Sequence, residues 1–197
     1  MNDFMDVILR RRSIRKFTEA PVSEDSLTDL LRAGMAGPSA VNAQPWEFVV
    51  ITDPEILKKF RTTLLFAKQN YTALICVCGS RRVQKNKAGD RFWVQDCAAA
   101  SENILLAATA MGLGSVWIGV YPVTIYVRLV RDILNLPDDV TPLNLIGLGF
   151  PAEEKEARTQ YEESRVHWQT YAPRAEKRLH LFKHRKNERV LEETEES

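Results

Sequence analysis

Five cationic side chains, Arg10, Arg11, Arg12, Arg15 and Lys16, surround one serine in the stretch LRRRSIRKF at residues 9–17. Arginine and serine can donate several charge-assisted hydrogen bonds to one phosphate, and a guanidinium can do so through two parallel N–H groups. The same cations can instead sit in solvent at a helix end, where the helix dipole favours positive charge. A second group follows in GPSAVNAQPW, where Ser39, Asn42 and Gln44 offer hydroxyl and amide groups that both donate and accept. An uncharged heteroaromatic ring or a polyol needs such groups, and a phosphate alone does not. Trp46, at the end of that stretch, reads as core rather than as a ligand stack. A third group, GLGSVWIG at residues 112–119, carries glycines that either let the backbone approach a planar ligand or stop a helix and turn the chain.

The composition narrows the partners. A chain of 197 residues reads as one domain with room for a substantial core, and 45% hydrophobic with 27% charged residues is ordinary for a globular protein. A net charge of +1 argues against a surface built as a nucleic-acid footprint. Cys76, Cys78 and Cys97 lie in apolar surroundings at spacings that suit neither zinc nor a disulfide framework, so they read as buried thiols in a reducing compartment. Acidic residues near the start, Asp3 and Asp6, and the absence of an apolar run after the arginines argue against a signal peptide, and no stretch has the length of a membrane span. A cytoplasmic protein is expected.

The elements that must position these groups are legible from periodicity. Phe4, Met5, Ile8 and Leu9 recur at helical spacing and lead into the arginines. A second helix begins near Ser23, with Leu27, Leu30, Leu31 and Met35 on its apolar face, and ends at Gly37-Pro38. EFVVIT reads as a strand, and Asp53-Pro54 opens a helix. TALICVCG at residues 72–79 is a continuous apolar run, the mark of a strand buried on both faces. The basic stretch from Arg81 to Asp90 reads as a mobile loop. From Phe92 to Met111 an alanine-rich helical period suggests a central, closely packed helix. A short strand at GSVWIG, a helix stopped before Pro137 and a buried strand at residues 143–151 complete an alternating α/β or α+β pattern.

Four segments in this order resemble the FMN-dependent nitroreductase family: RRSIRKF (11–17), PSAVNAQPW (38–46), AAASENILLAATAMGLGSVWIG (98–119) and LIGLGFPAEE (145–154). The resemblance covers residues 5 to about 171 and implies an α+β fold with a central mixed sheet flanked by helices, the FMN lying at a dimer interface. It gives Arg11, Arg12, Ser13 and Arg15 to the flavin phosphate and ring, and leaves Arg10 and Lys16 outside the matching positions. Pro38, Ser39, Ala40, Asn42 and Gln44 match contacts reaching FMN from the neighbouring subunit. Trp117, Ile118 and Gly119 match a backbone that runs along the isoalloxazine. Arg158 matches a further phosphate contact, with Arg165 as its alternative.

The implied activity is ping-pong transfer of hydride from NADH or NADPH through FMN to a small electrophilic acceptor, nitroaromatic or quinone-like. No catalytic side chain, metal, nucleic acid or membrane is expected, because the flavin carries the chemistry. The partners expected are a second copy of the chain and a small-molecule electron acceptor. Residues 1–171 are expected to form the FMN-binding domain, and 172–197 an extension that either docks on the partner or frays. Two other readings stay open: a flavin-binding sensor or carrier without turnover, and an anionic-surface or nucleic-acid binding module using the arginines and the basic tail.

Overall fold

Helix ends follow the capping chemistry of the sequence. In the computed structural model, which describes residues 3–171, α1 spans Asp3–Arg10 and α2 spans Glu24–Met35. Ser23 Oγ accepts the Ser26 N–H at 3.2 Å, satisfying one of the donors that α2 leaves free. Asp53 caps α3 (Pro54–Thr63) by accepting from Glu55 and Ile56 at 2.8 and 3.2 Å. Helix α4 (Gly89–Ala110) starts earlier than its hydrophobic period, because Asp90 and Arg91 add helical residues without apolar ones. Helix α5 (Thr124–Leu134) closes on Asn135 in the left-handed region, with φ 50°.

Strands β1 (Trp46–Ile51), β2 (Ala73–Ser80), β3 (Gly114–Gly119) and β4 (Val140–Gly149) form one sheet in the order β1-β2-β4-β3. All three pairings are antiparallel, and the one parallel pairing described is the isolated bridge of Ser13 with Ser115. Every residue of β2 is buried, as its continuous apolar run predicts. Strand alternation divides β2 between two cores. Leu74, Cys76 and Cys78 face Phe60, Tyr71 and Val130 with α3 and α5. Ala73, Ile75 and Val77 face Leu30, Ala100, Ile104 and Trp46 with α2 and α4. Trp46 is therefore core, and α4 is packed against the sheet as its alanines suggest. The three thiols are free and buried. The hydrogen bond with Cys78, then burial, push the Cys76 thiol up, and burial does the same for Cys97.

The arginine stretch is seated on this frame by two glycines that pair across β3 and β4, Gly114 with Gly149. A Cβ on Gly114 would meet Ile14 Cγ2 at 2.9 Å, and one on Gly149 would meet Phe17 Cδ1 at 2.9 Å. Asn70 then clasps the seated segment: its Oδ1 accepts the Phe17 N–H at 3.0 Å and its Nδ2 donates to the Phe17 carbonyl at 2.6 Å. Arg61 holds Asn70's neighbours, donating to the carbonyls of Gln69, at 3.1 Å, and Tyr71. Burial pushes the Tyr71 phenol up to about 12, and the nearby Arg61 charge partly opposes the shift.

The chain divides into two compact units, residues 1–159 and 160–197. The described part of the second holds a 3-10 turn at Glu163–Arg165, an Arg165–Glu162 ion pair at 2.6 Å and the His167 ring 4.4 Å from the Tyr171 ring. The extension expected at 172–197, with His180 and His184, lies outside the described residues. Among the described residues no helix is long and apolar enough to cross a membrane.

Replacing Asn70 with Ala leaves both backbone groups of Phe17 without this partner. We expect a loss of about 1–2 kcal/mol of stability, read as a lower urea midpoint at unchanged slope. An unchanged midpoint would show that the clasp does not hold the segment.

Candidate functional site

Residues 9–18 run between the end of β3 and the segment leaving β4. The Ile14 N–H donates to the Ser115 carbonyl at 2.9 Å, Thr18 to Phe150 at 2.9 Å, Ala152 back to Lys16 at 2.9 Å, and Arg158 to Leu9 at 3.0 Å. Side chains reinforce this lacing. Lys155 Nζ donates to the Ser13 carbonyl at 2.6 Å, and Arg12 donates to the Glu156 carbonyl. The Glu153 carboxylate accepts the N–H groups of Arg15 at 2.6 Å and Lys16 at 3.3 Å, and pairs with Lys155 at 3.2 Å. The Arg15 N–H first, and Lys155 after it, hold that carboxyl below the usual carboxylate range against a smaller cost of burial. Arg11 turns the other way, to Glu102 on α4 at 3.4 Å, and Arg10 pairs with Asp6 at 2.6 Å. Arg10 and Arg11 thus fold against carboxylates and Arg12 against a carbonyl, while no ion pair is described for the Arg15 or Lys16 side chain.

Beside this segment lies a cleft of about 420 Å³ lined by Arg15, Phe66, Gln69, Tyr121, Tyr126 and β3 from Val116 to Gly119. Trp117 is 38% exposed and Ile118 only 2%, so strand alternation turns the indole outward and leaves the Ile118 side chain to the core. A Cβ built on Gly119 meets nothing within 4 Å, which leaves the strand backbone open at the cleft. Of the sequence's other glycines here, Gly112 makes the turn after α4, with φ +74°, and Gly114 seats Ile14 rather than a ligand. Gln69 Oε1 is buried without a hydrogen-bond partner, and no ion pair is described for the Arg15 guanidinium. An aromatic-walled slot with one cation and two tyrosines suits a flat heteroaromatic ring that carries carbonyl groups.

The loop from Pro38 to Gln44 is built differently. Val41, Asn42 and Gln44 all take left-handed φ values, 51°, 54° and 48°. Non-glycine residues there are costly and persist only where surrounding contacts over-determine them. Those contacts are present. Ser39 Oγ accepts the Gln44 N–H at 3.0 Å, and Gln44 Nε2 donates to Asn42 Oδ1 at 2.5 Å. The buried Asp96 of α4 accepts the Ala40 N–H at 2.9 Å, while its other oxygen has no partner. From the basic stretch, Lys85 N–H donates to the Ala43 carbonyl at 2.8 Å and Asn86 Nδ2 to the Val41 carbonyl at 2.9 Å. The expected mobile loop is thus tied down at two points. Asp96 and Glu102 lie six residues apart on α4, about 9 Å along the axis and about 120° around it. The structure brings Arg15 and Trp117–Gly119 to the cleft; Ser13 bridges to Ser115 at the start of β3, Arg12 lines a separate opening with Arg10, Ile14 and Lys155, Arg158 meets Leu9 through its backbone N–H, and Arg11 turns to α4. The described contacts of a single chain do not bring Pro38–Gln44 to the cleft.

The Nitroreductase family profile matches residues 8–70 and 62–150, from inside the arginine stretch to the end of β4. The chain belongs to the Nitroreductase family. A relative from Archaeoglobus fulgidus, provisionally named NADH dehydrogenase/NAD(P)H nitroreductase, is 39% identical over 172 residues, covering 85% of this chain and 98% of the relative. A crystal structure from Parabacteroides distasonis under the same provisional name aligns with a TM-score of 0.81 at 38% identity, covering 87% of this chain and 100% of that one. A provisionally assigned nitroreductase from Desulfovibrio desulfuricans, solved in complex with FMN, aligns with a TM-score of 0.72 at 26% identity, covering 87% and 99%.

Several residues that shape this Nitroreductase-family site carry no local signal. Glu153 and Asp96 read as ordinary acidic residues until their partners, 138 and 56 positions away, are in place. Gln69 and Asn70 sit in a polar turn without a motif. Two outcomes follow from their contacts. Folded Glu153 titrates below an unfolded glutamate, so its contribution is complete above the ordinary glutamate range and lost as pH falls through the folded value. The Tm gap between wild type and Glu153→Gln should be widest near neutral pH and close in acid; a gap independent of pH would refute the carboxylate's role. Asp96→Ala should lose about 1.5–3 kcal/mol in urea unfolding. Asp96→Asn, which keeps an acceptor for Ala40, should recover most of it, and equal losses would show that the carbonyl oxygen does not hold the loop.

Proposed function

We propose that this chain, an NAD(P)H-dependent flavin oxidoreductase of the Nitroreductase family, works as a homodimer with FMN and reduces a small electrophilic acceptor, nitroaromatic or quinone-like, by a ping-pong mechanism. The observation that carries the reading is the aromatic-walled cleft laid directly against the laced arginine segment, which sets a ring site beside a phosphate site. FMN held there would supply two-electron hydride chemistry between NADH or NADPH and the acceptor.

The chain's own residues bind, orient and polarise. Arg11, Arg12, Ser13 and Arg158 hold the phosphate through charge-assisted hydrogen bonds. Arg15, on the cleft wall, places a fixed positive charge where negative charge gathers during reduction. Trp117, Ile118 and Gly119 present the strand along which the ring would lie. Pro38, Ser39, Ala40, Asn42 and Gln44 serve the other protomer's cleft; the stiffness of this loop, joined to no contact with its own cleft, supports that role. A single cleft for reductant and acceptor supports their alternation.

The purified protein should show the visible bands of oxidised flavin, and anaerobic NADH or NADPH should bleach them. The Arg11→Ala/Arg15→Ala double variant should lose its flavin, at roughly 1.5–3 kcal/mol per charge-assisted bond removed. Bands that neither nucleotide bleaches would point to a carrier or sensor, and full flavin occupancy in the double variant would overturn the assignment of the arginines.

A further inference from the structure

A second opening, about 540 Å³, lies where β2 ends and β4 begins. Trp93 forms one wall, and Gly79 is what admits it, since a Cβ there would stand 2.3 Å from the indole Cε3. The same indole meets Tyr121 edge-on, with ring centroids 4.8 Å apart and planes at 69°. Tyr121 lines the first cleft, so this aromatic pair joins the linings of the two spaces.

Charge in the second opening is unevenly matched. Asp139 is taken by Arg82 at 2.6 Å, and this contact holds its carboxyl below the usual range, with a lesser pull from Arg81. Asp90 accepts from Gln84 Nε2 at 3.0 Å. Arg81 and Lys87 line the opening, and no ion pair is described for either. The segment that carries them is held in place by Lys85 and Asn86, which bond the Pro38–Gln44 loop, and by the Ala88 N–H on Asn86 Oδ1 at 2.9 Å. With Asp139 matched by Arg82, Arg81 and Lys87 outnumber Asp90, the lining carboxylate bound by an amide, and this surplus of positive charge, joined to the ring site through the Trp93–Tyr121 pair, makes a receptor for the anionic end of an elongated molecule.

We propose that Arg81 and Lys87 form an anion subsite that takes the phosphate or carboxylate end of a small molecule whose reactive ring lies at the neighbouring cleft. The inference rests on the flavin reading for the ring's role, but the anion subsite is tested without turnover. Such an anion has two sources: the pyrophosphate of the reductant, or an acidic group on the acceptor.

The test is a titration of the flavin-loaded protein with inorganic pyrophosphate, followed by indole fluorescence because Trp93 walls the opening. Wild type should saturate, and Arg81→Gln/Lys87→Gln should bind about tenfold more weakly, as expected for the loss of two charge-assisted contacts. No saturation in wild type, or equal binding by both proteins, overturns the proposal. The source is read from two ratios compared between wild type and the double variant. A tenfold rise in the NADH concentration for half-maximal bleaching assigns the subsite to the reductant. A tenfold fall in preference for para-nitrobenzoate over nitrobenzene assigns it to the acceptor. If neither moves, the subsite serves no ligand of this reaction and the proposal fails. Absence of bleaching in wild type would count against the flavin reading instead, and the pyrophosphate titration would still decide the subsite.

Discussion

The close approach of the Ile14–Phe17 backbone to the ends of β3 and β4 is the contact on which the site is built. Gly114 and Gly149 face each other across the sheet, and both would need a side chain where Ile14 and Phe17 now sit. With that space vacant, an extended segment can lie against the sheet and exchange backbone hydrogen bonds with Ser115 on one side and with residues 150–158 on the other. Arg15 reaches the cleft wall because its own N–H is held by Glu153. Three of the segment's five cations have partners of their own: Asp6 receives Arg10, Glu102 receives Arg11 and the Glu156 carbonyl receives Arg12.

Helix α4 is the second organiser. It receives Arg11 at Glu102 and the strained loop at Asp96, on faces about 120° apart. A rigid helix buried among α2 and the sheet keeps these two attachments at a fixed separation. The left-handed residues of the loop cost energy wherever they occur, and the bonds that hold the loop, from α4, from the basic segment and within the loop itself, show that the conformation is specified rather than incidental.

The cleft itself acts through shape and fixed charge. Its floor is a strand that alternates outward Trp117 and Gly119 with inward Ile118, its walls are aromatic, and its lining carries one guanidinium and two tyrosines. The Trp93–Tyr121 pair joins this aromatic lining to that of the second opening.

The sequence by itself determined the helices, the buried strands and the family. Capping at Ser23 and Asp53 and the run at Ala73–Ser80 are local, and local spacing reports local structure. It also set an arginine group apart from an amide group, the two groups on which the proposed site draws. What it could not carry was strand order, the seat made by Gly114 and Gly149, or the roles of Glu153, Asp96, Gln69 and Asn70. An acidic residue has the same intrinsic chemistry in solvent and in a clasp; only its partner, supplied from another part of the chain when the sheet closes, decides which it is. Tertiary structure decided these roles because hydrogen bonds and buried charges act over a few ångströms in space, whatever the distance along the chain.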